Sequence, residues 1–313
     1  MSQFDEAKHK RTQDGKFTYK PHAEADAVSL IQGVNYSITL DDDADAIQLD
    51  ELSTHNDTLV RRRVIAHPNT EQLTLWRMSL NDTNPNIRAE ALKQLDLGGD
   101  DLATYVDDPS AEVRNVVARS PKVSGQVLTG LAIDTDDDVR FTVAENVNTP
   151  QPALTKLAGD VYPTVRATVG RNPNTPPNTL AGLAKDENHH VRADVAANES
   201  TPPEALQELA RDEDGFVHGA ALRNAKVPTI MLEAMVTSDS PQKKMAVASN
   251  PKAPAPVLDV LSKDKDPWVK AHVATNPNTN PFVRARLRNQ KQVAANVAFL
   301  EQQRNHDDGR QAG

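Results

Sequence analysis

Nine basic residues stand in one register, Arg61, Arg88, Arg114, Arg140, Arg166, Arg192, His218, Lys244 and Lys270; the first step is 27 residues and each later one 26. Cations so spaced have two chemical uses. Turned to solvent they would hold a line of phosphates; turned inward they need carboxylates, because a buried guanidinium is tolerated when it is paired. Carboxylates recur at the same period: Asp82, Asp108, Asp134, Asp160, Asp186, Asp212 and Asp264 lie six residues before the basic position. On a helix turning about 100° per residue, apolar positions such as Val191, Val195 and Ala196 flank Arg192 and put it inside the apolar arc. The spacing therefore predicts a charge-assisted ladder, within a unit or between adjacent ones, joining Arg88, Arg114, Arg140, Arg166 and Arg192 to Asp82, Asp108, Asp134, Asp160 and Asp186. A phosphate-binding ladder is the alternative use.

Other reactive sets are less complete. Asp41-x-Asp43-x-Asp45 opens like a calcium loop, but Ala46 and Leu52 stand where such a loop needs Gly and a bidentate Glu. His189 and His190 are adjacent, not four apart around a Glu, so zinc is not implied. With no Cys, thiolate metal centres, iron–sulfur clusters, disulfides and cysteine nucleophiles are excluded. No Gly-rich phosphate loop, G-x-S-x-G elbow or H-E-x-x-H occurs, and spacing assembles no Ser-His-Asp group. The sequence thus predicts no catalytic residue, no metal ligand and no cofactor, and a protein that is not an enzyme.

The elements that position the basic column follow from periodicity. Leucine pairs at i, i+3, such as Leu128/Leu131, Leu154/Leu157, Leu180/Leu183 and Leu206/Leu209, precede the column by twelve and nine residues and mark a first helix. Its start is read at Thr201-Pro202-Pro203-Glu204, with Thr201 as cap, Pro202 at the first helical position and Glu204 completing a capping box. A second helix opens at Asp57, Asn84, Ser110, Asp136, Asn188, Asp214, Ser240 and Asp266, side chains that accept hydrogen bonds from free helix N–H groups; only Tyr162 breaks that run. It should stop near Asn172-Pro173, Asn250-Pro251 and Asn276-Pro277, in a column of Asn six residues after the cation. Each unit reads as helix, turn, short helix, turn. Fixed spacing over more than 200 residues signals a solenoid, and 4% aromatic residues would not fill one thick core.

Asp264-Lys265-Asp266-Pro267-Trp268-Val269-Lys270 resembles the signature of HEAT-type helical repeats. The whole unit, Val191-Arg192-Ala193-Asp194-Val195-Ala196-Ala197-Asn198 with Thr201-Pro202-Pro203 and Leu206-x-x-Leu209-Ala210, is similar to the leucine-rich repeat variant family, over roughly residues 44–288. That resemblance implies an all-α solenoid of about nine 26-residue two-helix repeats, an α-helix alternating with a shorter α or 3₁₀ helix in a curved superhelix. The iron–sulfur cluster of the family's founding type is not implied here, because its cysteines are missing. Helical-repeat DNA glycosylases share such a solenoid but use a basic, aromatic-studded groove, a poor match to an acidic chain with only Trp76 and Trp268. The leader Phe4-Asp5-x-x-x-His9-x-Arg11-x-x-x-Gly15-Lys16-Phe17 resembles those of actinobacterial and actinobacteriophage proteins.

Helix geometry places positions one, two and five after the column on the outer face. There Arg62, Arg63, Lys93, Arg119, Arg171 and Arg223 would form a basic stripe; a solvated face with scattered charge is the other reading. Charge is uneven along the chain. Residues 31–57 hold seven acids and no Lys or Arg, whereas residues 218–313 carry a net of +6 in a chain whose total is −9. Lys243, Lys244, Lys270, Arg284, Arg286 and Arg288 dominate the basic end. The function these features suggest is a non-catalytic protein-binding scaffold for a partner with an acidic surface. The alternative is a nucleic-acid-associated protein of a bacterial or phage DNA process, and a distant third a helical-repeat DNA glycosylase.

Residues 1–43 read as a polar, disordered leader and acidic cap, 44–288 as the solenoid, and 289–313 as a capping helix with a frayed tail. Residues 28–40 could form a short strand or cap. A polar start without a signal peptide, and the lack of an apolar run of about 18 residues, suggest a soluble cytoplasmic protein without membrane contact.

Overall fold

The computed structural model describes residues 43–99 and 101–311, with side chains as far as His306. These residues form one compact unit. The expected leader, and the strand or cap expected at 28–40, lie outside the described residues.

The elements come in pairs. The first is α1 (Ala46–Leu52) with α2 (Thr58–Ala66), followed by α3 (Gln72–Asn81) with α4 (Pro85–Gln94). In the third unit a five-residue 3₁₀ helix, Asp101–Tyr105, takes the place of the first α-helix and precedes α5 (Ala111–Arg119). Regular units then follow: α6 (Gly125–Leu131) with α7 (Asp137–Glu145), α8 (Gln151–Leu157) with α9 (Pro163–Arg171), and α10 (Pro177–Leu183) with α11 (His189–Ala197). They continue as α12 (Pro203–Leu209) with α13 (Gly215–Arg223), α14 (Thr229–Met235) with α15 (Pro241–Ser249), and α16 (Ala255–Leu261) with α17 (Pro267–Thr275). Then α18 (Pro281–Arg288) and the 21-residue α19 (Lys291–Gln311) close the array, α19 packing on α17 and α18. This is an all-α repeat fold. The β-structure among the described residues is one isolated bridge between Gly99 and Val123, and Gly99 takes a φ of 55°, a backbone angle that suits glycine.

Local chemistry starts the second helices as the sequence suggests. Asp57, Asn84, Asp136, Asn188, Asp214 and Asp266 each accept the backbone N–H two residues on at 2.7–3.0 Å. Ser110 heads α5 without a side-chain cap bond. Tyr162, the exception in that column, instead lays its ring 5.8 Å from the guanidinium carbon of Arg140 in the preceding unit. Asp45, far from being a calcium ligand, caps α1 in a reciprocal box with Gln48.

Two local expectations are corrected. In the regular units the first helix is the shorter, at seven residues against nine. Prolines fix where four of these helices begin: α8, α10, α12 and α16 each start directly after a proline in extended conformation, whereas α6 starts after Ser124. Thr201 does not cap α12 and no capping box with Glu204 forms; its buried hydroxyl donates to the Val195 carbonyl at 2.5 Å, closing the helix behind it. Thr149, Thr175 and Thr279 do the same to Val143, Val169 and Val273. A free carbonyl near a helix C-terminus competes for the hydroxyl, and proline already supplies the extended entry to the next helix.

The core is thin and continuous. Leu128, Leu154, Leu180, Leu206, Leu232 and Leu258 on the first helices are wholly buried against Val139, Val165, Val191, Val217 and their neighbours on the second. Successive second helices from α5 to α17 pack directly on one another. The approach is close: a Cβ on Gly170 of α9 would come within 3.0 Å of the Val195 side chain on α11.

Candidate partner-binding surface

The inward polar columns are consumed by the frame. Nε and Nη2 of Arg61, Arg88, Arg114, Arg140, Arg166 and Arg192 donate to both carboxylate oxygens of Asp82, Asp108, Asp134, Asp160, Asp186 and Asp212, in each case the Asp of the next unit, at 2.6–3.1 Å. Nη1 of Arg88, Arg114, Arg140, Arg166 and Arg192 turns back to the backbone carbonyl of its own unit's Asp at 2.8–2.9 Å. Each guanidinium thus clamps two units, and each Asp carboxylate also accepts the N–H two residues on, as Asp134 does from Asp136 at 2.9 Å. Burial pushes the carboxyls of Asp108, Asp134, Asp160 and Asp186 up, but the arginine bonds, those N–H donors and the flanking positive charges outweigh it and hold all four below the usual range. For Asp212 the Arg192 bond is the dominant influence, in the same direction.

A second set of rungs was not legible as such. The Asn column reads in sequence as a helix stop, yet Nδ2 of Asn146, Asn172, Asn198, Asn224, Asn250 and Asn276 donates to two carbonyls of the preceding unit at 2.7–3.2 Å. One acceptor is the previous Asn's own carbonyl, from Asn172 onward, so the bonds form a chain. The strict period of the column was the available signal.

The outer face is narrower than a helical wheel suggests. Positions one and two after the column are largely covered: Ala89, Ala167, Ala271, Thr142, Thr168 and Ala246 are buried. The wheel treats a helix as isolated, whereas the next unit's second helix lies against this side. Position five stays open in most units, as Ala66, Lys93, Arg119, Glu145, Arg171, Ala197 and Arg223.

The basic residues assigned to partner binding divide by what they already hold. Arg62 pairs with Glu90 at 2.8 Å, Lys93 with Glu112 at 3.8 Å and Arg171 with Asp194 at 2.8 Å, each reaching into the next unit. Arg63, Arg119, Arg223 and Lys243 have no carboxylate partner among the described residues. Arg223 is pushed down by burial, and its charge, after burial, lowers His272, whose Nδ1 lies 2.8 Å from the Ser249 hydroxyl. At the basic end Lys244 is a ladder strut, 2.9 Å from Asp264, and not an outer residue. Arg284 donates to the Asn276 carbonyl at 2.8 Å, Arg286 to the Ser262 hydroxyl at 3.0 Å, and Arg288 pairs with Glu301 at 2.6 Å.

Two hollows adjoin Arg119. One, of about 450 Å³, opens between α4, the 3₁₀ helix and α5; the other, of about 260 Å³, lies towards α7 and the turn at 146–148. Neither was visible in the sequence: the first arises where the repeat is irregular, and the second depends on how α5 and α7 of neighbouring units meet. No group of three or more His, Asp or Glu suited to a metal occurs among the described residues, and no described helix is long and apolar enough to cross a membrane.

Residues 189–214 match the family model described as leucine rich repeat variant. Among solved structures, a leucine-rich repeat variant with a novel repetitive structural motif is 24% identical, with 67% of this chain and 88% of that chain covered and a TM-score of 0.48. A set of computationally designed armadillo repeat proteins for modular peptide recognition is 14% identical, covering 77% of this chain and 81% of theirs, with a TM-score of 0.12. No curated protein matches. The stretch matched, residues 189–214, runs from the start of α11 to the cap of α13, so what resembles a leucine-rich repeat variant is one whole unit of an all-α repeat array.

Proposed function

We propose that this protein is a non-catalytic scaffold that binds another protein through the open positions of its second helices. One observation carries the reading: the residues that repeat are turned into the frame as Arg–Asp and Asn rungs, while the residue five after the column stays open and differs from unit to unit, as Lys93, Arg119, Glu145, Arg171, Ala197 and Arg223. A constant frame that displays a varying surface is how repeat proteins separate stability from recognition. Arg63, Arg119 and Arg223, which pair with no carboxylate among the described residues, favour a partner with acidic side chains.

The test is capture of binders from the host lysate on the tagged chain, with and without nuclease, read by mass spectrometry and absorbance at 260 nm. A protein should be retained after nuclease and lost with the triple variant Arg63→Glu, Arg119→Glu, Arg223→Glu. Loss of all binders on nuclease treatment, with nucleic acid in the untreated eluate, would replace this reading by one in which the same arginines hold phosphates.

A further inference from the structure

The unit that departs from the repeat also opens a cavity. A five-residue 3₁₀ helix replaces a seven-residue α-helix there, and residues 95–99 lead to it as an irregular segment, tied down by the Gly99 N–H to the Lys122 carbonyl at 2.8 Å. The space left between this segment and α5 is floored by Leu92, Leu95, Leu97, Leu102 and Val116, of which Leu95, Leu97 and Val116 are only half-buried. Charges at its rim are largely matched, Lys93 to Glu112 and Lys122 to Asp96. Arg119 is the exception. It forms no ion pair among the described residues, although it lines both this hollow and the neighbouring one, which Thr142, Val147 and Glu145 help to wall. In the register where Arg171 meets Asp194 of the next unit, Arg119 meets the uncharged Thr142. Asn115 adds a further unmet group to the same cavity, an Oδ1 that is buried without a hydrogen-bond partner.

We infer that the two hollows joined at Arg119 are one groove that docks an extended peptide of a protein partner, with an apolar side chain in the leucine-lined hollow and an adjacent carboxylate on Arg119. The inference rests on the scaffold reading and deepens it. The apolar floor without a counter-charge for Arg119 would suit a purely apolar ligand poorly, and the guanidinium without the floor would suit any anion. Together they select the pair.

The experiment is fluorescence polarisation of the whole chain with three labelled ten-residue probes, built on Gly and Ser and carrying at their centre Leu-Asp, Ala-Asp or Leu-Asn. The Leu-Asp probe should bind at least about tenfold more tightly than either control, and Arg119→Glu should abolish that preference. Leu97→Ala should weaken the Leu-Asp probe while leaving the Ala-Asp probe unchanged, and Lys263→Glu, on an exposed residue away from the groove, should alter nothing. Circular dichroism melting checks that each variant folds. Equal binding of all three probes, no binding of any, an unchanged preference in Arg119→Glu, or equal loss in Lys263→Glu would overturn the inference. If a lysate protein is lost from the triple variant but kept by Arg119→Glu alone, the scaffold reading stands and the groove falls.

Discussion

The array from α4 to α13 and the junction between α13 and α15 are built to one plan but fastened differently. In the former α4, α5, α7, α9 and α11 each send an arginine to the aspartate of the next unit. At the junction His218 stands in the basic column and Ser238 in the acidic one, and both ends of the ion pair are gone. The short half of the clamp survives, with His218 Nδ1 3.2 Å from the Asp212 carbonyl. The Asn rungs pass through unbroken: Asn224 reaches Ala196 and Asn198, and Asn250 reaches Leu222 and Asn224, at 2.7–2.9 Å. The difference teaches that the ion pairs reinforce the stacking of units, whereas the asparagine rungs and the apolar layer suffice to hold register without them.

Acid sharpens this comparison most, since it acts on every pair at once. The carboxyls of Asp108, Asp134, Asp160, Asp186 and Asp212 sit below their ordinary value in the folded chain, so their contribution is complete above about pH 4, the unfolded value, and is lost as pH falls through the lower folded values. Urea unfolding followed from pH 6 down to pH 3 should show the midpoint collapse below about pH 4. A flat profile would mean that the pairs add nothing. Next in size is Asn250→Ala, which removes one donor from each of the Leu222 and Asn224 carbonyls at the α13–α15 junction, where no ion pair forms among the described residues, and should cost of order 1–3 kcal/mol, more than Asn172→Ala inside the clamped run. Urea midpoints of the two variants decide it; equal losses would break the distinction. The smallest effect is a gain: His218→Arg with Ser238→Asp should restore the missing pair, each change alone being neutral or harmful and the double-mutant coupling being favourable by about 1 kcal/mol.

Much of this was legible in the sequence, for a stated reason. The Arg and Asp columns declared themselves because the ladder needs one of each per unit at constant spacing, and the leucine pairs because a seven-residue helix has room for one buried i, i+3 pair. What stayed hidden depends on the neighbouring unit. Asn198 could be seen to end a helix but not to hold Gly170 and Asn172 of the unit before. Position one after the column looked outward on a single helix, and Ala167 is covered because α11 lies over it. Arg119 looked like one member of a stripe with Arg171, and only the contrast between Thr142 and Asp194 across the junction separates them. The cavity beside it follows from the shortened 3₁₀ helix, which no periodic signal could announce.

The asparagine rungs also have a direction. Each side chain donates backwards, from a later unit to carbonyls of the one already behind it. On a ribosome, a finished unit therefore already carries the acceptors for which the next unit supplies the donors as it emerges. Growth by the same rule is open-ended: a copied unit inserted in frame would find acceptors behind it and offer its own ahead, which is how a chain of this kind can lengthen without redesign of its interior.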